Sequence, residues 1–499
     1  MGALGEPPLD EIFSPSPGEG GGRGRERGPG GEGSTEQRVL RSTFASYAIQ
    51  FARLGINFGV KIALGRLILP EGHGLYELAL RIVTVASAVR DLGLPYQLVR
   101  DKSRPYGTVL AITVALGALI TLALVALAPL FGPFNAGLPF VLRVFAVWVL
   151  LDGLAVVPRA FFERELTIGN LVAPEIWRGV VMGAVSMALA WWGWQHWSLV
   201  VGDLVGAALL AAYSWAKAWG KIPLKVEWDQ ASGLVRRSFF LFLIWITLQL
   251  VTYIDIYIVD WYRGTHTAGL YVRSYWIAFL VATIVYPRAF FPTLMAYIDD
   301  RPRFVEFFRL GSVQLLGCQV VASYFLFFNA ERTLGILLGE RWIVAAPILR
   351  VLAFIPFFDQ FTMLGGEMLK AGHRDGRWLW IEILNLVSLV GFGLLFTLRY
   401  GAPGMGAANY LLAGNLVMAW EVARLFGPRF RTLVGDFALL YLVPLPFFAL
   451  AAWVGAPGSW VRFFASLVAA ALAAGALAAR YWRPFRAFFK GEEPAAVTQ

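Results

Sequence analysis

The chain has 499 residues, of which 58% are hydrophobic and only 15% charged, with a mean hydropathy of +0.62. A soluble domain carries about 25% charged residues, so this composition excludes a water-soluble enzyme or binding module. The net charge of +10 is carried mostly on loops between apolar runs, so it reports membrane topology and anionic headgroups and not nucleic-acid binding.

Residues 1–37 are rich in Gly, Pro, Glu and Arg without apolar periodicity, and are expected to form a disordered cytoplasmic tail. The glycines at 18–24 follow no strand and open no helix, so they do not read as a dinucleotide loop. No apolar stretch of signal-peptide type stands near Met1. Apolar runs of about 20 residues, enough to cross a bilayer, then recur fourteen times. They fall at about 42–64, 75–98, 107–131, 138–160, 171–193, 197–217, 238–260, 268–294, 309–330, 343–369, 378–398, 403–423, 434–453 and 458–479. The run at 75–98 is interrupted by Glu77, Arg81, Arg90 and Asp91.

With the N-terminus inside, 28 Lys and Arg fall on cytoplasmic connections against five outside, namely Arg66, Arg263, Arg332, Arg341 and Arg399. That asymmetry is the positive-inside signature, and it puts both termini in the cytoplasm. The expected fold is an all-α integral membrane protein of about 14 transmembrane helices, arranged as two pseudo-symmetric six-helix lobes plus two C-terminal helices. The lobes span 38–217 and 238–425, joined by an amphipathic linker at 218–237 along the cytoplasmic surface. Helices 13 and 14 occupy 426–480, and 481–499 is a second cytoplasmic tail.

The lobes read as copies. Gly74-Leu75-Tyr76 returns 195 residues later as Gly269-Leu270-Tyr271, each in a short polar loop between apolar runs. Leu142-Arg143-Val144-Phe145-Ala146 returns after 207 as Leu349-Arg350-Val351-Leu352-Ala353, each shortly after a proline (Pro139, Pro347). Parallel duplication of this kind places a transporter's site between its repeats.

Chemistry at a covalent bond finds little support. No phosphate-binding loop motif and no large outer domain with paired acids are present. The one cysteine, Cys318, cannot form an intrachain disulfide, and the four histidines, all in predicted loops, show no zinc spacing. No cofactor is expected.

Charges within the apolar runs are the candidate site. Gln50, Arg53, Asn57 and Lys61 share one helical face, as do Glu77, Arg81, Thr84 and Asp91 in the next segment. Each unpartnered cation at a helix centre costs at least about 2.5–3.5 kcal/mol, so mostly basic stripes read as the wall of a water-filled cavity for an anion, phosphate above all. Arg81 also has Glu77 one turn away, and Arg178 has Glu175, so internal pairing competes with that reading. Arg143 and Arg350, being repeated, read equally as ligand groups or as anchors of each half. Arg90, Arg273, Arg288 and Arg462 stand near segment ends, where snorkelling explains them. Asp255 reads as a coupling-ion site or a partner to a basic residue, and Asp260 as a solvated helix cap. Trp191, Trp192, Trp194 and Trp197 fit an interfacial aromatic belt better than a sugar platform.

Several stretches carry a family likeness. Leu64-Gly65-Arg66-Leu67-Ile68-Leu69-Pro70-Glu71-Gly72-His73-Gly74-Leu75-Tyr76 resembles the first-loop signature of bacterial polysaccharide-biosynthesis flippases, and Asp91-Leu92-Gly93-Leu94 is similar to the close of their next segment. Tyr253-Ile254-Asp255, Gly269-Leu270-Tyr271 and Tyr286-Pro287 resemble their seventh and eighth helices. Leu338-Gly339-Glu340-Arg341-Trp342 and Ala345-Ala346-Pro347-Ile348-Leu349-Arg350 resemble the ninth-to-tenth connection. The likeness runs in order over roughly 38–480. It implies a bacterial inner-membrane flippase that turns a lipid-linked oligosaccharide of undecaprenyl-pyrophosphate type to the periplasmic leaflet by alternating access. It also implies a superfamily shared with multidrug exporters and the peptidoglycan-precursor flippase. Membrane lipids, and with them a polysaccharide polymerase and glycosyltransferases, are the implied partners; nucleic acid is not. The binding residues Arg53, Asn57, Lys61, Arg81, Arg143 and Arg350, and the charge partner Asp255, rest on the residue pattern alone.

Overall fold

The computed structural model describes residues 55–489 apart from 57, 96–97, 99–104, 134, 166–167, 286–289, 291–293, 295–296, 299 and 372–373, and every regular element among the described residues is helical. Inside hydrocarbon each backbone N–H and C=O must find its partner within the chain, and a helix does this segment by segment. Residues 58–67 are helical. Then follow α1 (Pro70–Asp91), α2 (Tyr106–Leu127), α3 (Leu138–Phe145), α4 (Val147–Arg164), α5 (Ile168–Trp191) and α6 (His196–Ala218). Next come α7 (Ala231–Val285), α8 (Arg301–Phe328), α9 (Ala330–Leu337), α10 (Ala346–Leu352), α11 (Ile355–Ala371) and α12 (Asp375–Ala408). The chain closes with α13 (Ala413–Phe426), α14 (Phe430–Leu442), α15 (Pro444–Val454) and α16 (Trp460–Phe489). By length and composition seven helical stretches among the described residues qualify as membrane spans, or eight when the bent pair Glu340–Leu352 and Ile355–Lys370 is taken as one. Two of the seven, Phe242–Leu280 and Asp375–Val454, run on through helix breaks and cover more than one predicted segment. The protein is an all-α integral membrane protein.

Contacts divide the described chain into two compact units. One holds residues up to Ile68 together with Ile82–Phe242, and the other holds Leu69–Arg81 together with Leu243 onward. In the first, α5 and α6 close on small residues. Gly202 faces Ser186 Oγ, and Gly206 faces Met182 and Arg178, so backbones approach closely where side chains are absent. Trp215 Nε1 donates to Leu154 O at 2.8 Å, fastening α6 to α4. In the second unit α8 is the most enclosed span. It packs Val313, Leu316, Val320 and Tyr324 against Phe357, Phe448 and Ala473. Buried ion pairs lock this unit: Arg374 and Arg377 both hold Glu421 (3.0 and 2.7 Å), and Arg309 and Tyr481 both reach Asp436 (2.6 and 3.0 Å).

Both repeated motifs turn out to be helical devices. Gly74-Leu75-Tyr76 lies inside α1, which starts at Pro70, and Gly269-Leu270-Tyr271 lies inside α7 beyond its break at Gly264. The polar loops predicted there are therefore shorter than expected. Gly264 has φ 78° and ψ 167°, a conformation only glycine adopts at low cost. Gly72, Gly74 and Gly269 have the composition of a chain break, yet Gly74 and Gly269 serve packing. A Cβ at Gly269 would overlap the carbonyl oxygen of Pro70, and a Cβ at Gly74 would overlap that of Thr265. Pro70 and Thr265 are again 195 apart, so the two copies touch through equivalent atoms.

The second motif starts a short helix with proline in its first turn (Pro139 in α3, Pro347 in α10), carries its arginine in the last turn, and ends at Ala146 or Ala353 before a long helix. The bend between α10 and α11 is 45°. Proline suits a first turn and a cation suits a last one. Further on, α16 continues to Phe489, past the start of the predicted tail at 481, and α7 begins at Ala231, within the predicted linker. Residues 1–37 lie outside the described residues.

Replacing Gly269 by alanine is expected to cost about 1–3 kcal/mol of stability, seen as a lowered thermal midpoint in detergent. Gly391→Ala, at a helical site with open space around it, leaves the midpoint within a few tenths of a kcal/mol of its original value or raises it. Equal behaviour of the two variants would refute the crossing.

Candidate functional site

Residues at 70, 74, 77 and 81 lie on one face of α1, and within the second unit this face meets α7 on both sides of its break. Glu71 and His266, themselves 195 apart, pair at 2.7 Å and are half exposed. Burial pushes the Glu71 carboxyl up, but its own backbone N–H and the His266 ring together outweigh that and hold it below its usual value. One step deeper, His73 is fully buried against Arg273 and against the Trp342 ring, with centroids 5.7 Å apart.

The deepest layer is a charged cluster. Arg81 is 9% exposed, donates from Nη1 to Thr252 O at 3.2 Å, lies 3.7 Å from Glu77 Oε2 and covers the Tyr253 ring at 4.6 Å. Asp255, within electrostatic reach of Arg81, accepts from Tyr271 Oη at 2.9 Å and from the Ile256 N–H at 2.7 Å. Tyr257 Oη donates to Leu78 O at 2.8 Å. Glu77 and Asp255 balance Arg81 and Arg273, so the cluster is close to neutral and not the basic wall expected at Arg81. Among the described residues neither Arg81 Nε nor Arg273 Nε has a hydrogen-bond partner, which leaves donors for water or a ligand oxygen. Asp359 on α11 is exposed. The described residues contain no His, Cys, Asp and Glu grouping able to hold a metal ion.

The remaining predicted residues fall elsewhere. Arg53 and Asn57 lie outside the described residues. Lys61 is exposed on the helix at 58–67, and Arg143 is exposed on α3, both in the first unit. Arg350 pairs with Glu331 and does not join the Arg81 cluster. Arg178 and Glu175 do pair, at 3.9 Å, with Arg159 on the same carboxylate at 3.2 Å.

Three expectations are corrected. Arg90 does not snorkel: it is fully buried, bonded to Val149 O and Asp152 (3.0 Å) and paired with Asp91 (2.7 Å), in space left by Gly117 and Gly153. Arg273 is likewise buried, with His73 bonded to its guanidinium. Asp260 is 7% exposed and is no solvated cap. Tyr253, Tyr257 and Tyr271 are polar partners that the apolar pattern of their segment does not single out, although the repeated Tyr76 and Tyr271 mark the place.

Removing one partner of a buried pair costs about 3–5 kcal/mol. Arg81→Gln should therefore lower the thermal midpoint sharply, while Arg81→Gln with Glu77→Gln should lose less than the sum of the single changes. Strict additivity would show that the two side chains do not interact.

A model of the family described as polysaccharide biosynthesis protein matches residues 63–347, more than half of the chain. The chain is 23% identical to the succinoglycan biosynthesis transport protein ExoT of Rhizobium meliloti, over 77% of this chain and 86% of that protein. It is 21% identical to the teichuronic acid biosynthesis protein TuaB of Bacillus subtilis, over 71% and 77%. Among solved structures it resembles the lipid II flippase MurJ in an inward closed conformation, with a TM-score of 0.69 at 14% identity, covering 88% of this chain and 99% of that one. An inward-facing multidrug resistance MATE transporter of the MOP superfamily follows with a TM-score of 0.60 at 13% identity, over 76% and 95%. The fold is shared with both.

Proposed function

The chain belongs to the polysaccharide biosynthesis protein family, and from that membership we propose that it is a flippase for a lipid-linked oligosaccharide. It would move a polyprenyl-pyrophosphate-linked glycan from the cytoplasmic to the periplasmic leaflet of a bacterial inner membrane by alternating access, with both termini cytoplasmic. The observation that carries the reading is the family match over residues 63–347. A polysaccharide transport protein among the relatives and a fold shared almost end to end with a lipid II flippase add support.

The chemistry fits a ligand with an anionic head and a long tail. Arg53, Asn57 and Lys61 at helical spacing are assigned to the pyrophosphate, which takes paired donors from fixed cations. Arg143 is a further cation for the glycan's charged end, and Arg350 keeps its ligand role only where Glu331 releases it. Arg81 is assigned to the lining, with Asp255 as its charge partner or as the group that takes a coupling cation. A polysaccharide polymerase and glycosyltransferases would act on either side of the transport step.

A second reading, a multidrug exporter, draws on the acids Glu77, Asp255 and Asp359 together with the fold shared with a multidrug transporter.

Purified protein in liposomes should turn a labelled polyprenyl-pyrophosphate oligosaccharide between leaflets, and Arg53→Glu with Lys61→Glu should reduce that rate at least tenfold while the protein remains folded in the membrane. Full activity of the double variant would remove the site assignment. Efflux of cationic dyes with no glycan movement would replace the flippase with the exporter.

A further inference from the structure

We propose that Arg332, Arg350 and Arg462 form a binding site for the phosphate of an anionic phospholipid, distinct from the cluster around Arg81. The three arginines come from three elements of the second unit: the first turn of α9, the last turn of α10 and the first turn of α16. Arg350 and Arg462 gather around a single carboxylate, and Arg332 joins them through the Trp460 ring, two residues before Arg462. Arg350 pairs with Glu331, and Arg462 lies within electrostatic reach of both Glu331 and Arg350. Gly458, in the turn between α15 and α16, places its Cβ direction 3.7 Å from the Glu331 Cβ, which holds that turn against α9. Three cations against one anion leave two positive charges uncompensated.

The way the guanidinium groups are held matters more than their number. Arg332 lies over the Trp460 ring at 4.3 Å, and Arg462 over the Phe328 ring at 5.5 Å. Stacking occupies the flat face of a guanidinium and leaves its edge N–H groups free to donate. Arg332 Nε and Arg462 Nε are enclosed, yet neither has a hydrogen-bond partner among the described residues. An enclosed donor without an acceptor is costly, and a phosphate oxygen is the acceptor that matches guanidinium edges.

The surroundings name the source of that phosphate. Trp453, Trp460, Val461 and Phe464 stand exposed beside the cluster. Exposed tryptophan next to arginine is the pattern of the membrane–water boundary, where headgroup phosphates lie. Excess positive charge favours an anionic headgroup and repels the ammonium of a zwitterionic one. Glu331, whose Oε2 is likewise enclosed without a hydrogen-bond partner among the described residues, competes with the phosphate for Arg350 and Arg462, so it weakens the site and does not form part of it.

The test is native mass spectrometry of the delipidated full chain, titrated with phosphatidylglycerol or phosphatidylcholine of matched acyl chains. Wild type should retain phosphatidylglycerol preferentially. Arg332→Gln with Arg462→Gln should weaken it roughly fivefold for each arginine removed, and Glu331→Gln should tighten it, a gain that misfolding cannot imitate. Equal retention of the two lipids, unchanged binding in the double variant, or weaker binding in Glu331→Gln would each overturn the proposal. Displacement of phosphatidylglycerol by inorganic phosphate or pyrophosphate at equal concentration would assign the arginines to a free anion instead. Arg350 is left unchanged because it also carries a role in glycan binding, and loss of the lipid site in the Arg332 and Arg462 variant leaves the flippase reading standing.

Discussion

Two helices reach backbone contact only where neither carries a side chain at the crossing. Gly74 and Gly269 meet under that constraint, each pressed toward the carbonyl four residues before the other. Once the crossing is fixed, the 3.6-residue period decides what lies near it. Glu71 and His266 pair on one side of it, and three and seven residues beyond Gly74 come Glu77 and Arg81. Those two look onto the part of α7 that precedes Gly264, which carries Thr252, Tyr253 and Asp255. The charged cluster is thus placed by two absent side chains and one left-handed glycine, and none of its own members sets its position.

The deep arginines follow a common rule. Arg90 combines two carboxylates with a backbone carbonyl, Arg81 combines one carboxylate with a carbonyl and an aromatic face, and Arg374 and Arg377 share Glu421. Such pairs add little net stability over an apolar packing of the same shape, but losing one partner is severe. What they supply here is register: Arg90 can satisfy all its bonds only when α1 and α4 stand at one height. Of these arginines only Arg81 was also read as a ligand group, and its partners give it a structural role as well.

The all-α membrane class and the repeated motifs were legible because they depend on composition and order along the chain, which a sequence displays directly. Arg81 with Glu77, and Arg178 with Glu175, were legible for the same reason, being one turn apart. Pairings across the fold were not: His73 meets Arg273 across 200 positions and Arg81 meets Thr252 across 171. His73 was the harder case. Pro70, Gly72 and Gly74 around it read as a turn, yet proline in a first turn also opens a helix, and Gly74 was needed for contact. Arg90 and Asp260 stood near segment ends, where solvation is the ordinary expectation; only the packing of α1 on α4, and of α7 within its unit, encloses them.

The second repeated motif carries the argument one step further, because its two copies share a backbone and differ in surroundings. In both, proline opens a short helix, arginine closes it and an alanine precedes the long helix. Arg143 is exposed, whereas Arg350 has gained Glu331 and, through α16, the neighbourhood of Arg462 and Trp460. The turn and first residues of α16 lie outside both copies of the repeated motif. The repeat therefore supplied the short proline-led helix twice, while the start of α16 accompanies only the second copy in a charged cluster. Asymmetry in this protein comes less from divergence of the repeated residues than from what was placed beside them.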